Sequence, residues 1–210
     1  NWATKNIPAI VEAWHLGTRS GDAIAQVLYG DYNPSGKLPM SFPRSVGQMP
    51  LYYNYKNTGR PGADGEDAGS VFWSHYGDEK NSALFPFGFG LSYTEFEYSE
   101  IKMSSKSMTR DSQIEASVVL KNVGKVKGKE VVQMYLHDHF ASVTRPVREL
   151  KGFELVELNA GESKKVTFTI TPELLKFYSA NQKWESETGK FSIYIGTNSA
   201  AKRNTSFSLN

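Results

Sequence analysis

From about residue 93 onward, apolar and polar positions alternate in short runs. Ile114, Ala116, Val118 and Leu120 occupy every second position, and so do Val132, Met134 and Leu136. Val166, Phe168 and Ile170, then Phe191, Ile193 and Ile195, then Phe207 and Leu209, repeat the pattern. A period of two places such residues on one face of a pleated strand. Asn122-Val-Gly124, Asn159-Ala-Gly161 and Thr188-Gly189 separate the runs and supply turn chemistry. Together these features predict an antiparallel β-sandwich, and about 115 residues is the size of a seven-stranded sandwich of the immunoglobulin or fibronectin type III kind. Residues 172–178 (PELLKFY) predict a short helical turn between strands.

The beginning of the chain has a different pattern. Residues 7–14 (IPAIVEAW) form a nearly continuous apolar run, which predicts a strand buried on both faces. A turn follows over residues 17–21, with Thr18 or Ser20 as helix N-cap. Residues 22–29 predict a helix with Ala23, Ile24, Val27 and Leu28 on one face, stopped by Gly30. One strand and one helix cannot make a domain, because a strand buried on both faces needs neighbours at both edges and layers above and below. The expectation is therefore a piece of a larger protein, and the opening on Asn1 rather than Met points the same way. Residues 44–92 are irregular and aromatic, carrying Tyr52, Tyr53, Tyr55, Trp73, Tyr76, Phe85, Phe87 and Phe89. A long irregular stretch inside a compact domain is usually either functional or wrongly assigned, and residues 59–70 (GRPGADGEDAGS) read as an exposed loop tip.

Charge and composition remove several function classes. The 24 basic residues are interleaved with 22 acidic ones, for a net charge of +2, so no basic stripe for nucleic acid is present. Lys125, Lys127 and Lys129 read as a solvated turn or strand edge. There is no cysteine, which excludes a disulfide scaffold, a thiol nucleophile and a cysteine zinc site. No apolar run approaches the roughly 20 residues a membrane-spanning helix needs, so no membrane partner is expected.

Few residues suggest chemistry. His137 and His139 would share a strand face, as two metal ligands could, but no third ligand lies nearby in sequence, so His137-Asp138-His139 reads as a solvated strand end. Asp64, Glu66, Asp67, Asp78 and Glu79 cluster in sequence. A glycine-rich loop is a poor platform for a catalytic carboxylate pair, so they read as solubilising charge. His15, Ser20 and Asp22 lack the elbow and the oriented base of a triad. The turn at residues 17–21 has neither Rossmann nor P-loop spacing. Asn204-Thr-Ser206 fits a glycosylation acceptor but is short enough to occur by chance. The aromatics of residues 52–89 could stack on sugar or pin a linker. Trp73 and Tyr76, close to polar loop residues, are the candidate substrate-binding residues. No catalytic residue, metal site or cofactor is assigned.

Several stretches, in order, resemble glycoside hydrolase family 3, in particular its periplasmic β-glucosidases. They are Glu12-Ala-Trp-His-Leu-Gly17, Asp22-Ala-Ile-Ala-Gln-Val-Leu-Tyr-Gly-Asp31, Asn33-Pro-Ser-Gly-Lys-Leu-Pro-Met-Ser-Phe-Pro43, Gln48-Met-Pro50 and Asn57-Thr-Gly-Arg-Pro61. Leu84-Phe-Pro-Phe-Gly-Phe-Gly-Leu-Ser-Tyr-Thr94, Glu130-Val-Val-Gln-Met-Tyr135, Arg145-Pro146, Glu149-Leu-Lys-Gly-Phe153 and Gly161-Glu162 complete the set. His15-Leu16-Gly17 departs from the family's usual aromatic-Pro-Gly, and Arg19 stands where an acidic residue is common.

The resemblance implies a mixed fold: residues 1–92 as the C-terminal piece of an α/β sandwich domain plus linker, and residues 93–210 as an all-β fibronectin type III-like sandwich. It implies a parent with an upstream barrel carrying an aspartate nucleophile and an α/β domain carrying the acid/base glutamate. The parent would hydrolyse terminal β-D-glucosyl residues of oligosaccharides with retention, in the periplasm or outside the cell. This chain would act as a structural buttress, inactive alone, whose partners are those upstream domains and, through them, the oligosaccharide. A homodimer is compatible with this reading. A competing reading is a carbohydrate-binding sandwich, which needs coplanar exposed aromatics; Trp184 and Tyr178 are its candidates. Another is an assembly domain that uses the sandwich as a dimer interface.

Overall fold

The computed structural model describes residues 1–61 and 72–210. The alternating runs form the sandwich expected of them. One sheet is built on β4 (Ile114–Asn122), which pairs along one edge with β1 (Phe96–Tyr98) and β2 (Lys102–Met103) and along the other with β7 (Ser163–Ile170), all antiparallel. The other sheet runs in the order β3 (Ser107–Met108), β11 (Asn204–Leu209), β10 (Gly189–Gly196), β5 (Gly128–Asp138), β6 (Glu149–Leu158). Only its β3–β11 edge is parallel. A separate hairpin joins β8 (Phe177–Tyr178) to β9 (Trp184–Glu185). Residues 93–113, for which no alternating run was named, carry the three short strands β1, β2 and β3, so the strands outnumber the seven anticipated.

Every residue named in the alternating runs is buried in one contiguous core. Phe191 stacks on Phe207 at 5.3 Å, and Gly152 of β6 faces Phe168 of β7 so closely that an added Cβ would touch its ring. That contact brings the two sheets together. Strand β6 escaped the pattern because its outward positions are also apolar: Phe153 and Leu155 are exposed while Val156 and Leu158 are buried. The turn after β4 is held by Asn122, whose side chain is saturated. Its Nδ2 donates to the Val126 and Leu158 carbonyls, and its Oδ1 accepts from Thr94 Oγ1 and the Gly124 amide. The expected helical turn is a 3-10 turn, Pro172–Leu175, which leads into β8.

The beginning of the chain differs from expectation in the strand over residues 7–14 and in the cap of the helix. Residues 7–14 form no strand; no ladder among the described residues pairs with them, and Ile7, Ile10, Val11 and Trp14 are exposed. A strand exists only with a hydrogen-bonding neighbour, and its apolar run has none here. A short helix α1 (Trp2–Asn6) precedes this run. Helix α2 (Ser20–Tyr29) forms as read, ended by Gly30 in the left-handed conformation at φ 83°. Its N-cap is Arg19 rather than Thr18 or Ser20, without a capping side-chain bond; instead Arg19 donates to Asp22 at 2.7 Å. Ile24 and Leu28, on its apolar face, are exposed.

Candidate functional site

Between α2 and β1 the chain runs along the outer face of the five-stranded sheet and returns. Two irregular segments hold each other by backbone bonds: Leu38 N to Phe89 O, Gly88 N to Leu38 O and Phe42 N to Phe85 O, each 2.8 Å. Phe85 stacks on Phe89 at 4.9 Å, Phe42 packs edge-on against Phe85, and Trp14 edge-on against Phe42. The aromatic run is thus a chain of ring contacts in which Phe42, Phe85 and Phe89 are half-buried and Trp14 is exposed. Arg44 donates to the Ser82 carbonyl at 2.9 Å, and Gln48 bridges the Arg44 amide and the Lys80 carbonyl.

This paired ribbon is fastened to the sandwich by buried polar groups. Lys37 Nζ donates to the Gly90 carbonyl at 2.8 Å and to Glu130 Oε2 at 2.9 Å. Tyr98 donates its hydroxyl to the other Glu130 oxygen at 3.0 Å. Burial outweighs both partners and holds the Glu130 carboxyl above the usual range; burial, with Glu130 beside it, also pushes the Tyr98 phenol up. Gln133 Nε2 donates to the Gly88 and Thr197 carbonyls, and its Oε1 accepts from Tyr135. Gly88 adopts φ 79°, and a Cβ there would fall onto the Gln133 carboxamide. Tyr53 stacks on Phe87 at 4.3 Å, meets Tyr135 edge-on, and accepts from the Leu150 amide. At the α2 end, Asn33 donates to Lys127 O and accepts from Ser92 and the Tyr93 amide, while Tyr93 donates to Val27 O.

At its far turn the ribbon carries Trp73 and Tyr76. Pro61 bridges Ser74 in parallel, the Ser74 amide donates to Arg60 O, and Asn81 accepts from the Tyr76 amide while donating to Ser74 O. Lys56 bridges Pro146, and the Val147 amide donates to Tyr55 O, so this turn is tied to the β5–β6 connection. Trp73 is 45% exposed and Tyr76 40%, on a stem fixed at its base. They form no ring pair with each other among the described residues.

The other candidates are not sites of this kind. Asp64, Glu66 and Asp67 lie outside the described residues, Asp78 is exposed, and Glu79 accepts from Asn1. Asp22 is paired with Arg19 and forms no triad. Asn204-Thr-Ser206 lies within β11, paired to β10. Of His137-Asp138-His139 only the outer end is solvated. His139 is exposed, but its ring stacks on His137 at 4.5 Å and bonds Ser192 Oγ at 2.8 Å. Desolvation lowers both imidazoles. Asp138 is 3% exposed, because the strand continues under the β5–β6 connection, and the expected solvated end is wrong for it. Its carboxylate lies 3.6 Å from Arg145 Nε and, against that cation, burial still pushes it up to about 6. Arg145 also donates to Glu149 at 2.7 Å and lies 4.2 Å over the Phe177 ring. Asp138 and Glu149 therefore share one guanidinium. Among the described residues no group of three or more His, Asp or Glu could hold a metal, and no helix is long and apolar enough to cross a membrane. Lys37, Glu130, Gln133 and Arg145 had been only letters in motifs; their burial depends on ribbon and connection contacts that no local period reveals.

Residues 1–93 match the family described as the glycosyl hydrolase family 3 C-terminal domain, and residues 130–199 that of the fibronectin type III-like domain. The chain is 52% identical to a periplasmic β-glucosidase of Salmonella typhimurium, over 96% of this chain and 26% of that protein. It is 46% identical to a putative β-xylosidase of Formosa agariphila, over 100% of this chain and 26% of that protein. Among solved structures it is similar to a mutant β-glucosidase from Listeria innocua in complex with laminaribiose. The TM-score is 0.88 at 43% identity, covering 95% of this chain and 27% of that one. The chain thus spans about a quarter of the length of the relatives it matches.

Proposed function

This chain belongs to glycoside hydrolase family 3, and from that membership we propose that it is the C-terminal part of a β-glucosidase that cleaves terminal β-D-glucosyl residues with retention. Residues 1–92 complete an α/β domain and supply a linker; residues 93–210 are the fibronectin type III-like domain. The nucleophile and the acid/base lie in other parts of the longer protein, and this chain alone is inactive. Its compartment is the periplasm or the exterior, which the Salmonella relative's description supports.

The observation that carries the reading is the uncovered apolar face at the start of the chain. Ile7, Ile10, Val11, Trp14, Ile24 and Leu28 are exposed on elements that are nevertheless tied to a rigid sandwich. Burying such side chains is worth roughly 1.5–3 kcal/mol each, so a layer of a larger domain belongs over them. The ribbon then acts as a brace that fixes this layer relative to the sandwich. Rigid support matters because a 1 Å displacement of a catalytic group can cost about 100-fold in rate. Trp73 and Tyr76 border the substrate cleft on this reading. The relatives include a β-xylosidase at similar identity, which supports sugar choice being made chiefly outside these residues.

The test is hydrolysis of an aryl β-glucoside by the 210-residue chain and by the longer protein that contains it. Turnover by the longer protein alone is expected. Turnover by the short chain would place a carboxylate pair here and overturn the reading.

A further inference from the structure

The hairpin β8–β9 holds an aromatic that the sandwich does not use. Trp184 is 69% exposed and Tyr178 55%, whereas Phe177, Phe191 and Phe207 are buried; Phe140 and Phe153 are also exposed, but only Trp184 and Tyr178 form a cross-strand ring pair beside a depression. The two are cross-strand partners with rings 6.1 Å apart at 64°, so the indole stands clear and its flank is backed by the phenol. They are not the coplanar platform that a multi-ring carbohydrate-binding face requires.

The hairpin is nevertheless held firmly. The Ser179 amide donates to Lys183 O at 2.9 Å, and the Gln182 amide to Ser179 O at 3.0 Å. Ser179 Oγ and Asn181 Nδ2 both donate to Glu185 Oε1, and these bonds keep its carboxyl below the usual range. The Ala180 amide donates to Ser142 Oγ, and Phe177, buried at the base, lies under Arg145.

Beside Trp184 lies an open depression of about 430 Å3 lined by Arg110, Pro172, Glu173, Lys176 and Glu185. Its charges balance: Lys176 pairs with Glu173 at 2.6 Å, and Arg110 lies near enough to Glu185 to act on it electrostatically. A cavity with two cations and two anions is not selective for a charged ligand, but it offers donors and acceptors to a neutral one that carries many hydroxyls. A flat apolar face, exposed beside a ring of such groups, is complementary to a pyranose, which has a C–H face and an equatorial hydroxyl edge. The depression also lies away from the α2 end of the chain. Thr171 and Pro172 follow directly on Ile170, which pairs with Ile114 at one end of β4, while Asn33 and Tyr93 tie α2 near Asn122 at the other. Eight residues of strand separate those ends by about 27 Å. Among the described residues no hydrogen bond, ion pair or ring contact joins Arg110, Lys176 or Trp184 to residues 1–93.

We propose that Trp184 and the adjoining depression form a sugar-binding site, which takes a neutral pyranosyl oligosaccharide by stacking one ring on the indole. The preference for β-linked glucose rests on the function proposed above; the geometry of the site does not.

Calorimetric titration of cellotetraose into the 210-residue chain tests this, with indole emission as a second signal. One saturable site per chain is expected, weakened at least about tenfold by Trp184→Ala and several-fold by Arg110→Ala, and unchanged by Phe153→Ala, which removes an exposed ring of β6. Trp184→Phe, which keeps a ring and the hairpin, should retain most of the binding. Absence of saturable binding, or binding that Trp184→Ala leaves intact, would overturn the proposal. Hydrolysis by the longer protein is scored separately: binding without hydrolysis removes the proposed parent activity and keeps the site, while hydrolysis without binding removes the site alone.

Discussion

Lys37 and Glu130 meet at 2.9 Å with side chains only 10% and 4% exposed, 93 positions apart in the chain. This ion pair joins the ribbon to the sandwich inside a low-dielectric contact. Removing one partner of a buried pair leaves a buried charge, which costs about 3–5 kcal/mol, whereas replacing both by apolar residues is often neutral. Lys37→Met should therefore destabilise by about 3 kcal/mol, and Lys37→Met with Glu130→Leu by much less. A double-mutant cycle in urea measures both, and equal losses in the single and double variants would count against the pair as the fastening.

Gly88 should not tolerate alanine. Its φ of 79° strains any side chain, and the new methyl would displace the Gln133 carboxamide from the Gly88 and Thr197 carbonyls. A loss of about 2–4 kcal/mol is expected for Gly88→Ala. Amide exchange should locate the change in the ribbon and β5 rather than in β4 and β7.

Phe191→Ala tests the core. The side chain is buried and stacked on Phe207, so truncation should cost about 3–5 kcal/mol. A thermal midpoint lowered by only a degree or two would mean that the stack is not part of the cooperative unit.

Asp138 gives the fold a pH dependence with an unusual sign. Its carboxyl is raised from 3.8 to about 6, chiefly by burial, against Arg145 and with Glu149 and Glu187 adding repulsion. Between those two values the folded state binds more protons than the unfolded one, so stability falls as pH rises from about 4 to 6. The loss is on the order of 3 kcal/mol and persists above pH 6. Asp138→Asn should remove Asp138's share of this fall in urea melts at stepped pH, leaving the like-signed share of Glu130 and the opposing share of His137 and His139. An unchanged slope would assign the titration to another group.

On the proposed function, Trp73→Ala and Tyr76→Ala in the longer protein should raise KM for oligosaccharides several-fold and leave an aryl glucoside with one sugar less affected. Identical kinetics on both substrates would remove these residues from the cleft.

The sandwich was legible because Ile114, Val132, Val166 and Phe191 begin runs in which one face is apolar and the other is not. Strand β6 was not, since Phe153 and Leu155 face outward and erase the contrast. Helix α2 was legible from its apolar stripe and Gly30, but the strand over residues 7–14 was not realised, because an apolar run does not contain the neighbour that would make it one. The choice of Trp73 and Tyr76 rested on their polar surroundings, and their place at a cleft belongs to the proposed function. Lys37, Glu130 and Asp138 were not, because their burial arises between segments far apart in sequence.

The ribbon's course along β5 has a consequence for modularity. Tyr135 and Gln133 point away from the sandwich core and are still buried, covered by Tyr53, Phe87 and Gly88. The five-stranded sheet is therefore the middle layer of three, and what looks in sequence like a tether is one of the layers. Transplanting residues 93–210 onto another protein would strip that layer and present a wet Tyr135–Gln133 strip to solvent. Evolutionary or engineered exchange of this domain should succeed only when the cut falls before Asn33, so that ribbon and sandwich travel as one inherited unit.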